Sequence, residues 1–282
     1  MIKIKACAKL NLALDIANAR ADGYHDMRMI MQSVDLCDII TADFERGAPI
    51  SVTCDMPIDG ENLAEKAIIA YSRAAGYPIG GTVHIEKHIP LCGGLGGGSA
   101  DAAAVLWALH RQFCAVDADS LPDIALSLGA DVPFALYGGT AYAAGVGERL
   151  VALPAVSRDY ILLARAGNKD STGKMFARFD AAADKLHPDV DAAVSALQTD
   201  GIRSASRFFA NSFSPLWKSE VSDKIHNVMR SHGAYCTSLS GAGPTVFGLF
   251  ESGDRARVCA DEISKFTWCA LCRPADRSIF FE

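Results

Sequence analysis

The sequence has no run of about 20 apolar residues, so it contains no segment that predicts a membrane-spanning helix. Its first residues, Met1 to Lys5, lack the apolar stretch of a secretory signal peptide. Basic residues are not in excess either: 27 Lys and Arg against 33 Asp and Glu give a formal net charge of −6. This charge argues against a general binder of nucleic acids or anionic membranes. We expect a cytosolic globular protein that binds any anionic ligand at a local site.

Signs of a disulfide framework, a zinc site and a Walker A loop are also lacking. Nine cysteines, an odd number scattered from Cys7 to Cys272, favour free thiols. The pair Cys269 and Cys272 has no second pair at zinc-finger spacing, and the alternation around it predicts a strand. Residues 167–174 resemble a Walker A loop, but five residues instead of four separate the two glycines and Met175 replaces the hydroxyl residue.

What stands out instead is a cluster of five glycines within six positions, between Pro90 and Ser99. The residues from Ala102 to Leu109 that follow are strong helix formers, so we predict a glycine loop that leads into a helix with Ser99 as its N-cap. Glycine lets a ligand approach the backbone, and the N-terminus of a helix attracts phosphate. The alternative is a flexible surface loop. The position of the glycine loop between a strand and a helix favours the first interpretation, with a nucleotide polyphosphate as the ligand.

The N-terminal segment predicts a long strand, because every even position from Ile2 to Ile16 is apolar. Lys9 and Asn11 therefore share the opposite face of this strand. A solvated face is the usual interpretation of such residues. The small and apolar neighbours of the two residues favour a covered face instead, and the pattern alone leaves both open.

Several further elements follow in the first half. Tyr24 and His25 come directly after a turn, where local packing is the common role of such a pair. Residues 62–75 and 121–128 predict helices, and residues 82–89 predict a strand whose polar face carries His84 and His88. Pro133 directs its predecessor towards extended geometry, so Asp131 is expected at a junction between a helix and a strand over residues 133–151. An acid there is either a turn former or a catalytic carboxylate.

The second half reads as a mixture of strands and helices after a hinge at residues 154–159. Strands are predicted at 160–164, 234–239, 245–250 and 268–272. Helices are predicted within 172–230 and at 254–266. This order of elements is typical of an α+β sandwich.

Three motifs together resemble the GHMP kinase superfamily. They are the lysine strand Ala8-Lys9-Leu10-Asn11, the loop from Pro90 to Ser99, and the turn Ser240-Gly241-Ala242-Gly243. The resemblance implies a two-domain α+β GHMP kinase fold with the active site in the cleft between the domains. Residues 1–153 would form a ribosomal-protein-S5-like α/β domain with the ATP loop and the catalytic residues. Residues 154–282 would form a ferredoxin-like α+β sandwich.

Residues 8–12, 20–25 and 129–134 resemble the branch of the superfamily that phosphorylates a cytidine-diphosphate-linked methylerythritol in the non-mevalonate route to isoprenoids. The resemblance implies transfer of the ATP γ-phosphoryl group to the 2-hydroxyl of that small-molecule substrate, with Mg²⁺ as cofactor. Asp131 would accept the proton of the hydroxyl, and Lys9 would lie beside it as the second catalytic residue. Ser99 or Asp101 would lie near the metal. The oligomeric state is not implied.

The same resemblance implies the binding residues. Tyr24 would stack on the cytosine, His25 would form hydrogen bonds with it, and Phe176 would complete the aromatic sandwich. Asn11 and Gly241 would contact the rest of the substrate. The residues expected to bind ATP form one continuous stretch: Pro90, Leu91, Cys92, Gly93, Gly94, Leu95, Gly96, Gly97, Gly98, Ser99 and Ala100.

Two departures from the family pattern limit these assignments. Ala100 occupies the place of a second serine, and residues 167–172 lack the proline and valine that usually precede the Ser-Thr pair, which bears on Phe176. A GHMP kinase acting on homoserine or mevalonate and a non-catalytic GHMP-like ligand sensor remain the alternatives. The Tyr24-His25 pair argues against the first, and the presence of both Lys9 and Asp131 argues against the second.

Overall fold

A computed structural model describes residues 1–282 except 59, 157, 169–170 and 218. Its first sheet is built on two long antiparallel strands, β1 (Ile2–Ala19) and β2 (His25–Arg46). Next to β2 lies β4 (Ile79–Glu86), followed by the parallel edge strand β3 (Ile50–Cys54). Beyond the N-terminal half of β2 lie β5 (Thr140–Gly145) and β6 (Arg149–Ala152). The alternating pattern of the N-terminal segment thus predicted a strand correctly.

Four helices cover one face of this sheet: α1 (Leu63–Ala75), α2 (Gly97–Phe113), α3 (Leu121–Leu128) and α4 (Val132–Tyr137). Helix α1 begins one residue after its predicted start, because Asn62 is the N-cap and its side chain accepts a hydrogen bond from the amide of Ala64. It ends as predicted before Gly76, which has φ 75°. Helix α4 contradicts the strand predicted from residue 133. Proline is tolerated in the first turn of a helix, because the N–H group that it lacks would have no intrahelical acceptor there.

The second half forms a four-stranded antiparallel sheet in the order β10-β7-β9-β8. The strands are β7 (Tyr160–Arg165), β8 (Cys236–Leu239), β9 (Thr245–Phe250) and β10 (Cys269–Cys272). The helices are α5 (Thr172–Asp180), α6 (Val190–Ala205), α7 (Glu220–Ser231) and α8 (Gly253–Ile263). The predicted strands and helices of this half are confirmed, with ends that differ by at most three residues.

The chain then returns to the first sheet. Strand β11 (Pro274–Ala275) pairs with β2, and β12 (Ile279–Phe281) pairs with β1. The amide of Cys7 also donates a hydrogen bond to the Ser278 carbonyl, 2.8 Å away. The division into residues 1–153 and 154–282 stays a prediction, and the first sheet includes residues from beyond it.

The two halves share a core along β1. Leu14 and Met29 of the first sheet belong to one buried apolar cluster with Phe213 and Phe250 of the second half. All residues from Ala6 to Ile16 are buried, because helices cover one face of the strand and the second half covers the other. The face that carries Lys9 and Asn11 is therefore covered, and the interpretation as a solvated face is wrong.

Two observations concern the expectations drawn from composition. Cys7 and Cys37 form a disulfide, so the expectation of free thiols is wrong for this pair. The reason is a long-range one: the two residues face each other across β1 and β2 with Cα atoms 3.9 Å apart. Among the described residues, no helix is long and apolar enough to cross a membrane.

Candidate active site

The glycine loop lies between β4 and α2 and is packed against two other parts of the chain. Gly94 has φ 78°, and a Cβ there would lie 2.6 Å from the Ser240 carbonyl oxygen. Gly96 has φ 71°, and its Cβ would lie 2.9 Å from Cγ of Lys9. Only glycine fits these positions without displacing a neighbour. The loop therefore needs glycine for its own packing as well as for the approach of a ligand.

Helix α2 begins earlier than predicted. Gly96 is the N-cap residue and Ser99 lies in the first turn, so the expectation of Ser99 as N-cap is wrong. The amides of this first turn have no partner four residues earlier within the helix, and the positive end of the helix dipole coincides with them. They border a cavity of about 290 Å³ lined by the glycine loop, Lys87, Leu63 and Ile89. This geometry suits a bound polyphosphate.

A second cavity of about 210 Å³ adjoins the first. Its walls are mainly apolar and come from Leu14, Met27, Met29, Phe176 and Phe213. The residues that line both cavities are Lys9, Ser99, Asp131, Thr172, Gly241 and Ala242. A phosphate donor in the first cavity and an acceptor in the second would thus meet at these shared residues.

Lys9 and Asp131 form an ion pair at this junction, with Nζ 3.2 Å from Oδ2. The Lys9 ammonium also donates a hydrogen bond to Oδ1 of Asn11 over 2.8 Å. The Lys9 side chain is only 8% exposed, whereas Asp131 is 35% exposed and can be reached by a ligand. The β-bulges of this region precede Lys9 and follow Asn11, and the register is regular between the two residues. Both side chains therefore lie on the same face of β1. The junction therefore contains one accessible carboxylate held beside a buried cation.

Asp131 is positioned by the α3–α4 junction. It occupies the N-cap position of α4 with a right-handed helical conformation, φ −86° and ψ −12°. The next amide, that of Val132, donates a hydrogen bond to the Gly129 carbonyl. The prediction of an extended Val132 is thus wrong, yet the tight turn still directs Asp131 into the site.

The turn of residues 240–243 closes the junction from the second half. Gly241 has φ 54°, and a Cβ there would lie 3.4 Å from Oδ1 of Asn11. Asn211 is fully buried, and its Nδ2 donates hydrogen bonds to the carbonyls of Leu239 and Gly241 at 2.8 and 2.9 Å. Sequence reasoning missed Asn211, because a single asparagine between apolar residues carries no pattern of its own.

Of the residues expected around a cytosine, Phe176 lines the second cavity and His25 packs against it. The His25 ring stacks on Phe176 with centroids 4.6 Å apart and an interplanar angle of 20°. Its Nε2 lies 2.9 Å from Oδ1 of Asp180, a residue that sequence reasoning did not single out. Tyr24 is 60% exposed and makes no aromatic contact within the described part of the chain. The structure thus joins His25 and Phe176 and leaves Tyr24 at the rim; residues 169–170 lie outside the described residues.

A buried ion cluster lies beneath the glycine loop. Lys87 Nζ contacts Asp38 and lies 2.7 Å from Oδ2 of Asp101, and all three side chains are at most 3% exposed. Asp38 also accepts hydrogen bonds from the amides of His88 and Ile89. Burial raises the pKa of Asp101 to about 7, and the nearby Asp38 carboxylate acts in the same direction, whereas Lys87 acts against it. The cluster connects β2, the start of the loop and Asp101, the fifth residue of α2.

The two candidates for a metal contact differ in their surroundings. Ser99 lines both cavities, and its hydroxyl makes no hydrogen bond within the ranges that the structure describes. Asp101 lines neither cavity and is held by Lys87. Of the two, Ser99 has the geometry of a residue that can reach a ligand.

Comparison with known families gives two matches within this chain. The family described as GHMP kinases N terminal domain matches residues 62–139, and the family described as GHMP kinases C terminal matches residues 218–267. With the sequence relatives given below, these matches establish that the chain belongs to the GHMP kinases. It is an ATP-dependent small-molecule kinase of mixed helix and strand structure.

Particular members of that family resemble the chain over nearly its whole length. It is 37% identical to the 4-diphosphocytidyl-2-C-methyl-D-erythritol kinase of Clostridium beijerinckii, covering 94% of this chain and 96% of that protein. The enzyme of the same name from Caldicellulosiruptor bescii is 36% identical, with coverages of 95% and 98%. A crystal structure of 4-(cytidine 5'-diphospho)-2C-methyl-D-erythritol kinase superposes with a TM-score of 0.78 at 33% identity, covering 97% and 99% of the two chains. Homoserine kinase from Cytophaga hutchinsonii shares the fold at 18% identity, with a TM-score of 0.76 and coverages of 100% and 97%.

Proposed function

We propose that this enzyme transfers the γ-phosphoryl group of ATP to the 2-hydroxyl of 4-diphosphocytidyl-2-C-methyl-D-erythritol. The observation that carries the proposal is the meeting of two cavities, one beside a glycine loop and one with apolar walls, at the Lys9–Asp131 pair. Relatives named for this activity, with 33–37% identity, support the choice of substrate.

The nucleotide occupies the first cavity. Its phosphates lie against the glycine loop, residues 90–98, and the unpaired amides at the start of α2. Ser99 and Ala100 follow in the first turn of the helix. Because phosphoryl transfer depends mostly on positioning and on charge stabilisation, a rigid loop of this kind provides most of what the protein must supply on the donor side.

Asp131 accepts the proton of the substrate alcohol. The alcohol oxygen bonds to the γ-phosphorus, the bond to the β–γ bridging oxygen breaks, and ADP leaves. Lys9 keeps Asp131 oriented through their ion pair and places a positive charge beside the transferring group. Asn11 fixes the Lys9 ammonium from the other side and helps to position the alcohol.

In this proposal Mg²⁺ would accompany the nucleotide, and the Ser99 hydroxyl would be the protein group that holds it. The ion would supply positive charge that offsets the charge of the phosphates. Mg²⁺ is usually held by substrate phosphates, waters and only one or two protein ligands. A single hydroxyl at the junction of the two cavities is consistent with that coordination preference.

The cytidine end of the substrate binds where Phe176 lines the second cavity and His25 packs against it. Tyr24 and Phe176 provide aromatic faces, and His25 forms hydrogen bonds with the base. Gly241 allows the turn of the second half to approach the middle of the substrate. We place the reaction in the cytosol, and no nucleic acid or membrane takes part in it.

The test of this proposal is Asp131→Asn, with Asp123→Asn as the matched control because Asp123 is exposed on α3. We expect Asp131→Asn to lower kcat by roughly 10² to 10⁴ while leaving the affinity for ATP nearly unchanged, because the general base is lost and the nucleotide cavity is not. Kinase assays with the cytidine compound, homoserine and mevalonate identify the substrate. Unchanged kcat, or a preference for homoserine or mevalonate, would contradict the proposal, as would a wild-type protein without ATP consumption.

A further inference from the structure

Helix α5 presents two residues to His25 from one face. Phe176 and Asp180 are four positions apart, which places them one turn apart on the same side of the helix. Phe176 stacks on the face of the His25 ring, and Asp180 lies in hydrogen-bond contact with its Nε2. Phe176 therefore restrains movement of the ring out of its plane, and Asp180 restrains its rotation. Both residues belong to a helix of the other half of the chain.

The contact with Asp180 selects a tautomer. A carboxylate can only accept a hydrogen bond, so the proton of the neutral His25 ring resides on Nε2. The other ring nitrogen, Nδ1, then carries a lone pair. Nδ1 has no hydrogen-bond partner among the residues described, so its accepting capacity is available to a ligand.

An accepting nitrogen distinguishes the two pyrimidines. Cytosine carries an exocyclic amine, which donates, where uracil carries a carbonyl oxygen, which accepts. A buried acceptor that faces another acceptor loses a hydrogen bond without compensation, and such mismatches discriminate more strongly than lost apolar contacts. The opposite tautomer of His25 would reverse the preference.

We propose that Asp180 is a positioning residue that makes the site specific for cytosine, by holding His25 as an acceptor at Nδ1. This inference rests on the proposed function, in which His25 contacts the base. Asp180 itself does not touch the base. It is 48% exposed, so its substitution should not unfold the protein.

The experiment compares Asp180→Asn with Asp184→Asn, a matched control on the exposed segment after α5. An asparagine amide can either donate to Nε2 or accept from it, so the preference for one tautomer weakens. We expect the ratio of kcat/KM for the cytidine substrate over its uridine analogue to fall ~10-fold in Asp180→Asn, since charge-assisted hydrogen bonds are about twice as strong as neutral ones. The KM for ATP should stay unchanged, and Asp180→Glu should restore part of the ratio.

A second readout needs no substrate. Nitrogen-15 NMR of the histidine rings, recorded well above the usual histidine pKa of about 6.5, reports which ring nitrogen carries the proton. His25→Gln identifies the His25 signals among those of the seven histidines. We expect Nε2–H in the wild type and in Asp184→Asn, and a mixture of tautomers in Asp180→Asn.

The outcomes separate the two claims. A wild-type enzyme that discriminates and an Asp180→Asn variant that discriminates equally well would overturn the role of Asp180 and leave the proposed function standing. A tautomer unchanged by Asp180→Asn would overturn it too. A wild-type enzyme inactive on the cytidine compound would refute the proposed function, and recognition of cytosine by His25 would be refuted as well.

Discussion

Replacing Lys87 with methionine removes the cation from a fully buried cluster. The Lys87, Asp38 and Asp101 side chains are 1%, 0% and 3% exposed, so water cannot replace the lost charge. Removing one partner of a buried ion pair typically costs about 3–5 kcal/mol, because a charge is left without compensation. Methionine matches the length of the lysine stem, which limits the effect to the charge.

The surroundings of the two carboxylates place the cost near the lower limit. Asp38 keeps its hydrogen bonds from the amides of His88 and Ile89, at 2.6 and 2.8 Å. Asp101 loses its partner but can take up a proton, because burial already raises its pKa to about 7 beside the lysine. We therefore expect Lys87→Met to lower the free energy of unfolding by about 3 kcal/mol at neutral pH.

Urea unfolding of the ligand-free protein measures this loss, with Lys66→Met as control. Lys66 forms an exposed pair with Glu61, so its replacement should change stability by no more than about 0.5 kcal/mol. The loss in Lys87→Met should grow above neutral pH, since the pKa of Asp101 rises further without the lysine and deprotonation becomes more costly. A loss below about 1 kcal/mol, or one that shrinks as the pH rises, would refute this reasoning.

Substitutions at the glycine loop and at Asp101 test two other features. Gly96→Ala should reduce turnover at least ~10-fold, because its Cβ would displace Lys9 and the φ of residue 96 is positive. In the control Gly98→Ala the nearest neighbour of the new Cβ would be 3.6 Å away, so the fold and Lys9 should stay undisturbed. Steady-state kinetics compares the two variants, and equal activities would contradict the packing argument. Asp101→Asn should flatten the pH dependence of unfolding. The folded-state pKa of about 7 lies above the ordinary aspartate value of 3.8, so the wild type takes up a proton on folding and loses stability as the pH rises between these values. Urea unfolding across that range checks this, and an unchanged slope would exclude Asp101 as the cause.

Local signals predicted the regular elements well. Asn62 and Gly76 define both ends of α1, and the apolar run of β9 begins and ends where the sequence indicated. These features depend on backbone chemistry that acts over a few residues. Pro133 shows the limit of such signals, because proline disfavours a helical predecessor in general and yet fits the first turn of a helix.

The site was predicted less completely, for a physical reason. Lys9 and Asp131 were identified through the family resemblance, since neither has a local pattern that distinguishes it from a solvated charge. The residues that hold the site together were missed. Asp180 lies 155 positions from His25, and Asp38 lies 49 positions from Lys87, so their roles follow only from the folded topology. The same holds for the pairing of Cys7 with Cys37.

The return of β11 and β12 to the first sheet affects how the chain can fold during synthesis. About 120 residues separate the end of β6 from the start of β11, and the whole second sheet is made in that interval. At translation rates of roughly 5–20 residues per second, the edge of β1 that pairs with β12 stays open for at least about 6–24 s after β6 is made. Unpaired strand edges can pair with other chains, so a nascent chain is exposed to misassembly during this interval. Final closure of the first sheet therefore waits until the second half has emerged from the ribosome.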